Sequence, residues 1–169
     1  MSNAIKTETH KLALAIDPTS RGFGYALFEG PQTPLDWGTT EIRSQQNENS
    51  LERIKKLIKF YQPEILVLED CSDEQGRRCP RVKKLLEQIE EYSRLQKIPV
   101  AKYSASRVQE VFAFAGVRTK QQIAEKICEW IPRFASHLPP ERKIWMSEDR
   151  RMSIFDAVAL ILTYYYLEE

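Results

Sequence analysis

The stretch LALAIDPTSRGFGYALF, residues 12–28, determines the fold of this chain. Its first part, residues 12–16, is an unbroken apolar run that ends at Asp17, which is typical of a buried central strand. A second apolar and aromatic run, residues 23–28, follows after a short turn that contains glycine. The two runs are therefore predicted to pair as a β-hairpin whose first strand ends in a carboxylate.

Strand and helix patterns alternate along the rest of the chain. Residues 36–43 are predicted as a third strand, residues 65–68 as a short buried strand that ends in Glu69, and residues 98–103 as a fifth. Helical spacing marks residues 51–61, with Asn49 or Ser50 as N-cap, and a long helix that begins near Pro80. Two helices follow, the second opened by a capping box at Thr119, and a helix through residues 155–165 ends the chain. The order β-β-β-α-β-α-β-α-α-α predicts an α/β fold with a mixed five-stranded sheet and helices on both faces.

Length and composition favour one cytoplasmic domain. The chain has 169 residues, of which we expect 1–11 to be a flexible segment and 12–169 a single domain. The longest apolar stretches, residues 12–16 and 158–162, are far too short to cross a bilayer, and the N-terminus lacks a signal-peptide pattern. Three cysteines without zinc-type spacing suit reduced thiols. A net charge of +1 means that any nucleic-acid binding must depend on local basic patches.

Three carboxylates stand where the predicted topology gathers ligands. Asp17 and Glu69 end neighbouring strands, and Asp156 lies in the first turns of the last helix, which can dock near those strand ends. Converging carboxylates repel one another, and hard cations such as Mg²⁺ or Mn²⁺ relieve that repulsion. Two ions roughly 4 Å apart stabilise the attacking and leaving oxygens of a phosphodiester displacement. The pattern therefore indicates a metal-dependent nuclease.

Each carboxylate also has a purely structural interpretation. Asp17 before Pro18 could form an Asx turn, and Glu69 could be an exposed carboxylate at a strand end. Asp156 stands three residues after Ser153, a spacing that also suits a capping box. All three acids flank buried apolar runs, where an unpaired charge is costly, and this shared setting favours the catalytic interpretation.

Four motifs in order resemble those of the RuvC family of Holliday junction resolvases, in the RNase H-like superfamily. They are IDPTSRGFGYAL (16–27), PEILVLED (63–70), the strand-helix-turn-helix stretch 103–127, and IFDAVALILTYYY (154–166). The likeness covers residues 12–166. It implies an RNase H-like fold and a cytoplasmic homodimer that binds a four-way DNA junction, in recombination and repair. It also implies Mg²⁺-dependent nicking with water as nucleophile and a 5′-phosphate product.

The resemblance assigns roles to particular residues. Asp17, Glu69 and Asp156 match the family's catalytic, metal-binding acids, and Lys120 matches its basic residue in the turn before a helix. The family carries a further acid about one helical turn before the last Asp, where this chain has Ser153. Asp149 is the nearest upstream acid in helical phase, although seven residues of helix would place it about 10 Å away along the axis. Glu148 and Asp70 are weaker substitutes for the missing ligand, and a serine can also hold a metal-bound water.

A second departure follows Glu69, where resolvases of this type carry an aromatic that wedges the junction. This chain has Cys71-Ser72-Asp73 and then a basic loop, which suggests contacts with the DNA backbone. We expect phosphate contacts from seven basic residues: Arg77, Arg78, Arg81, Lys84, Arg118, Lys120 and Arg151. Arg142, Lys143 and Arg150 form a further basic group, and any of these clusters could instead be a solvated face.

Two other functions remain open from the sequence. An RNA-processing nuclease would have the same fold and the same carboxylates. A non-catalytic module that binds nucleic acid or protein would explain why Ser153 replaces an acid. The substrate is therefore predicted to be branched DNA, with RNA as the alternative.

Overall fold

A five-stranded mixed sheet forms the centre of the molecule. The computed structural model describes residues 9–72 and 78–169. Its strands lie in the order β3-β2-β1-β4-β5. β1, β2 and β3 are antiparallel neighbours, whereas β4 runs parallel to β1 and β5 parallel to β4. The strands are β1 (Ala13–Thr19), β2 (Gly22–Phe28), β3 (Pro34–Glu41), β4 (Ile65–Glu69) and β5 (Val100–Tyr103).

Helices cover both faces of the sheet, as the alternating pattern predicts. α1 and α2 pack over one face, and α3, α4 and α5 pack over the other, each with its own apolar core. Their order matches the sequence prediction, with an additional 3-10 helix before the last α-helix. The helices are α1 (Gln46–Tyr61), α2 (Pro80–Leu95), α3 (Ala105–Ala113), α4 (Lys120–Trp130), the 3-10 helix (Pro132–His137) and α5 (Met152–Glu168).

The first strand is longer than its apolar run. β1 continues through Asp17 and Pro18 to Thr19, because all three residues pair with β2 across the hairpin. On its other edge β1 pairs with β4 only as far as Ala15. Proline has no N–H to donate, so Pro18 is tolerated in a central strand only beyond the point where pairing on that edge has stopped. The sheet consequently opens between β1 and β4, next to Asp17.

The start of α1 differs from the prediction. The helix begins at Gln46, after Gln45 in a left-handed conformation, so the prediction of Asn49 or Ser50 as N-cap is wrong. Both residues lie inside the first turns, where the Asn49 side chain donates to the carbonyl of Ser44. The capping box at Thr119 and the start of α2 at Pro80 are confirmed.

The N-terminal side of the domain is attached to α5. The flexible segment predicted for residues 1–11 falls mostly on residues 1–8, which lie outside the described residues. His10 and the backbone N–H of Lys11 both bond to the carboxylate of Glu169. No helix in the described ranges is both long and apolar enough to span a membrane.

Substituting Tyr165 with phenylalanine is expected to destabilise the domain by about 1–3 kcal/mol. The Tyr165 hydroxyl accepts from the N–H of Gly30 at 3.0 Å and donates to the carbonyl of Lys11 at 2.6 Å. Removing it leaves the buried N–H of Gly30 and the half-buried carbonyl of Lys11 without this partner. Urea unfolding measures the loss, with Tyr166→Phe as the control because the Tyr166 side chain is exposed. Equal stability of the two variants would contradict this role.

Candidate carboxylate site

Asp17 and Glu69 lie side by side where β1 and β4 separate. The last paired residues of these strands are Ala15 and Val67, and each acid stands two residues further along its strand. Side chains two residues apart in a strand point to the same face, so both acids face the α5 side of the sheet. Asp17 is only 2% exposed. The Asx-turn interpretation is wrong, because Asp17, Pro18 and Thr19 all pair with β2 as strand residues. The exposed-strand-end interpretation is wrong as well, because the Glu69 side chain is only 17% exposed.

Asp156 reaches the same place from α5, which lies across β1 and β2. The helix comes very close to β2 at Gly24, the residue paired with Asp17. A Cβ at Gly24 would lie 2.5 Å from the carbonyl carbon of Ser153 and 2.4 Å from its Oγ. This contact fixes the first turn of α5 over the strand, and Asp156 follows one turn later. Asp17, Glu69 and Asp156 accordingly line one cavity of about 140 Å³.

Arg78 bridges the two strand carboxylates. Its Nη2 lies 2.7 Å from Oδ1 of Asp17, and its Nε donates to Oε2 of Glu69 at 2.7 Å. Its Nη1 donates to the carbonyl of Pro18 at 2.8 Å. The guanidinium is therefore a counter-charge that the two carboxylates share, and it lies between them.

Lys120 neutralises the third carboxylate. The capping box of Thr119 fixes the start of α4, and Lys120 is the first residue of that helix. Its Nζ lies 3.2 Å from Oδ2 of Asp156 and 3.4 Å from both carboxylate oxygens of Glu148. Lys120 thus joins the cavity to the loop that contains Glu148.

Burial dominates the electrostatics of the site. It raises the pKa of Asp17 to about 8, helped by the nearby charge of Asp156 and opposed by Arg78. Burial also raises the pKa of Asp156, with Lys120 as the main opposing charge. For Lys120, burial favours the neutral amine, but Asp156 and Glu148 outweigh it and raise the pKa. Burial therefore disfavours the ionised forms of Asp17 and Asp156 even with two cations beside them.

Ser153 and Asp149 do not complete the carboxylate cluster. Ser153 lies inside α5, its hydroxyl donates to the carbonyl of Arg150 at 2.8 Å, and the capping-box interpretation of Ser153 and Asp156 is wrong. Asp149 precedes the helix and accepts hydrogen bonds from the backbone and guanidinium of Arg151, which lower its pKa. Its side chain lines a different cleft from the one that contains Asp17.

The three acids are suitable ligands for a hard divalent cation, but their present arrangement does not form a binding site for one. Asp17, Glu69 and Asp156 offer carboxylate oxygens, which Mg²⁺ and Mn²⁺ prefer. Within residues 9–72 and 78–169, however, no three His, Cys, Asp or Glu side chains are close enough together to hold one ion as they stand. The Arg78 guanidinium lies between two of the three donors, so cation binding requires it to move.

The other basic residues named from the sequence are dispersed. Arg81 points inward and donates to the carbonyl of Thr19 and to Asn47. Arg151 pairs with Asp149. Lys84 and Arg118 are exposed, and Arg77 lies outside the described residues.

Sequence reasoning missed the bridging role of Arg78 and the contact between Glu148 and Lys120. Arg78 appears in the sequence as one of two adjacent arginines in a basic loop. Nothing in that pattern tells which of them turns toward Glu69, because the choice depends on the path of the intervening backbone. Glu148 was considered only as a substitute ligand, whereas its carboxylate contacts Lys120.

Comparison with known proteins gives likeness in structure but not in sequence. No protein-family model matches the chain, and no curated protein matches it. Thermus thermophilus RuvC, solved in complex with a Holliday junction substrate, matches with a TM-score of 0.67 and 17% identity, over 93% of this chain and 94% of that one. The yeast mitochondrial Holliday junction resolvase matches with a TM-score of 0.65 and 13% identity, over 93% of this chain and 78% of that one. The fowlpox virus resolvase, solved with Holliday junction DNA, matches with a TM-score of 0.57 and 16% identity, over 92% and 99%. The predicted RNase H-like fold is thus confirmed, and the chain has the fold of the RuvC-type Holliday junction resolvases.

Proposed function

We propose that this protein is a divalent-cation-dependent endonuclease that cuts branched DNA, with the four-way junction as its preferred substrate. The observation that carries the proposal is the convergence of Asp17, Glu69 and Asp156 in one cavity. The fold adds support, because two of the similar structures are complexes with Holliday junctions.

The three carboxylates are the residues that would hold the cation. When bound, such ions polarise the phosphate and activate water for attack on phosphorus. Of the three carboxylates, Asp17 would gain most from a bound cation, because it is buried beside the two other acids. Asp149 is a poorer candidate for a fourth ligand than the sequence suggested, since Arg151 already occupies its carboxylate.

Two basic residues have roles that their contacts suggest. Lys120 neutralises Asp156 and, at the mouth of the cavity, would bind a phosphate oxygen near the scissile bond. Arg78 holds Asp17 and Glu69 together before a cation binds and would then turn outward to contact the DNA backbone. Five other basic residues remain predicted phosphate contacts, and none of those within the described residues lines the carboxylate cavity: Arg77, Arg81, Lys84, Arg118 and Arg151.

Substituting Arg78 with alanine is expected to make the stability of the protein strongly dependent on divalent cations. Without the guanidinium, Asp17 and Glu69 lose their shared counter-charge, and unfolding in EDTA should become easier by about 2–4 kcal/mol. Adding Mn²⁺ should restore much of that loss, because the ion can take the vacated position between the carboxylates. Thermal melts with and without Mn²⁺ measure both effects. Arg94→Ala is the control, since among the described residues Arg94 pairs with the exposed Glu91 alone. The same Mn²⁺ response in both variants would argue against the role of Arg78.

A panel of labelled substrates tests the proposed activity. Four-way junction, flap, duplex and single-stranded RNA are incubated with the protein in Mg²⁺ or Mn²⁺, beside the Asp17→Asn variant. Paired nicks placed symmetrically in the junction, with 5′-phosphate ends, are expected from the native protein and not from the variant. Symmetry of the nicks also tests the predicted homodimer, because two active sites must act on one junction.

A non-catalytic binding module is the second candidate function. It is favoured by the bridging contact of Arg78, which supplies the counter-charge that a cation would otherwise supply, and by Ser153 in place of an acid. In the same panel, junction binding without cleavage by either protein would support the module. Cleavage of RNA alone would support an RNA-processing nuclease.

A further inference from the structure

An exposed apolar turn borders the cleft that shares Lys120 with the carboxylate cavity. In the loop before α5, the N–H of Met146 donates to the carbonyl of Lys143 at 3.0 Å and closes a turn. The two residues at its corners are Ile144, which is 98% exposed, and Trp145, which is 79% exposed. Gly, Pro, Asn, Asp and Ser dominate such corners because of their backbone conformations and local hydrogen bonds. Large apolar side chains that are exposed there contribute no burial to stability. The turn therefore presents an indole and an isoleucine that the fold itself does not use.

A lysine ammonium lies over the indole. The Nζ of Lys143 is 5.3 Å from the centre of the Trp145 ring, and Arg142 directly precedes Lys143 in the chain. In the part of the chain that the structure describes, neither Arg142 nor Lys143 forms an ion pair with an acid. An aromatic face with unpaired cations beside it is the combination that binds single nucleic-acid strands, through base stacking and phosphate contacts.

Two hydrogen-bonded contacts join the loop that contains this turn to α4, whose first residue, Lys120, lines the carboxylate cavity. At the base of the loop, the side chain of Gln121 on α4 donates to the carbonyl of Pro139 at 3.1 Å. On the other side, Glu148 bonds to Lys120, which lines both the carboxylate cavity and a neighbouring cleft of about 990 Å³. Glu148 stands three positions after Trp145, so their Cα atoms are at most about 11 Å apart. That distance corresponds to about three nucleotide steps of one DNA strand.

We propose that Trp145, with Arg142 and Lys143 beside it, stacks on an exposed base of the DNA strand that leads into the carboxylate cavity. The inference rests on the proposed function and names a determinant of its substrate class. Within a continuous duplex both faces of every internal base are covered, so an indole finds a free face only at a branch, a flap or a strand end. Stacking by Trp145 consequently favours branched DNA over duplex. A membrane surface is the less favoured partner, because the turn borders a cleft whose lining includes charged side chains, among them Arg142, Glu148 and Lys120.

Binding assays with four forms of the full chain test the proposal. They are the native protein, Trp145→Ala, Trp145→Phe and the control Phe60→Ala, which removes an equally exposed aromatic from α1 on the other face of the sheet. Fluorescence anisotropy in EDTA measures the affinity of each form for a four-way junction and for a duplex of the same sequence. Tryptophan emission is followed in parallel, with DNA and with phosphatidylserine–phosphatidylcholine vesicles.

The expected result is a loss of junction affinity of about tenfold in Trp145→Ala, with duplex affinity unchanged. Trp145→Phe should retain part of the affinity, and Phe60→Ala should bind as the native protein does. The junction should quench native emission by an amount that is missing in Trp145→Phe. Equal junction binding by the native protein and Trp145→Ala overturns this inference and leaves the proposed function intact. A change in Trp145 emission with vesicles but not with DNA also overturns this inference. If the native protein does not prefer the junction over duplex, both this inference and the proposed function are overturned.

Discussion

Replacement of Asp17 by asparagine is expected to abolish junction cleavage and, at the same time, to stabilise the protein in EDTA. Cleavage should fall by roughly a thousandfold or more, because a neutral amide is a far poorer ligand for a divalent cation than a carboxylate. Stability should rise, because Asp17 is buried beside Glu69 and Asp156. Arg78 keeps its bonds to Glu69 and to the carbonyl of Pro18 in the variant, so the guanidinium is not left without partners.

The sign of the stability change follows from the pKa of Asp17. Burial raises this pKa from 3.8 to about 8, so the folded protein holds a proton there that the unfolded chain has released. Stability of the native protein should therefore decline as the pH rises between about 4 and 8. Asparagine resembles the protonated form, so the gain in Asp17→Asn should be small near pH 4 and reach about 1–3 kcal/mol near pH 8.

Urea unfolding in EDTA at several pH values measures this gain. Asp70→Asn is the matched control, because hydrogen bonds from Ser72 lower the pKa of Asp70 and give the opposite sign. The ionised carboxylate of Asp70 stabilises the folded protein at pH values above the pKa that Asp70 has in the unfolded chain. This stabilisation is lost as the pH falls through the lower pKa of the folded state. An Asp17→Asn variant could instead be less stable than the native protein at pH 8. That result would show that Arg78 stabilises the ionised carboxylate more than burial destabilises it.

Substitution of Gly24 with alanine is expected to cost about 3 kcal/mol of stability and most of the activity. The added Cβ would lie 2.4 Å from Oγ of Ser153 and 2.5 Å from its backbone carbonyl carbon. A side-chain rotation can relieve the first contact but not the second, so α5 must move away from β2. Asp156 is carried on the same helix and moves with it. Cleavage should therefore fall more than the loss of folded protein alone explains.

Gly38→Ala provides the control for this substitution. Gly38 also lies in the sheet, on β3, but its nearest neighbours are ring atoms of Tyr25 at 3.3 Å, which can shift by a few tenths of an ångström. The loss of stability should be well under half that of Gly24→Ala, and activity should be retained. Comparable losses in the two variants would mean that the approach of α5 to β2 does not position the site.

The sequence predicted the sheet and the carboxylates because both depend on local patterns. The apolar run before Asp17, the capping box at Thr119 and the acid after the fourth strand each follow from residues within a few positions of one another. The start of α1 was missed because Gln45 adopts a left-handed conformation that its side chain does not signal. Ser153 was open to a capping interpretation because the exact start of α5 is set by packing against Gly24.

The details of the site could not be predicted because they join distant segments. Arg78 meets Asp17 across the opening between β1 and β4, and Lys120 meets Glu148 across 28 positions of sequence. Trp145 gave no signal at all, since a short apolar run in a sequence is as compatible with the core as with the surface. Only its exposure in the folded chain separates the two.

The proposed metal site is tested most directly by anomalous diffraction from crystals of the native protein grown with Mn²⁺. We expect anomalous density among the carboxylates of Asp17, Glu69 and Asp156, with the guanidinium of Arg78 turned out of the space between them. A structure in which Arg78 still bridges Asp17 and Glu69 at saturating Mn²⁺, with no anomalous density beside them, would contradict the claim that these carboxylates form a metal-dependent nuclease site.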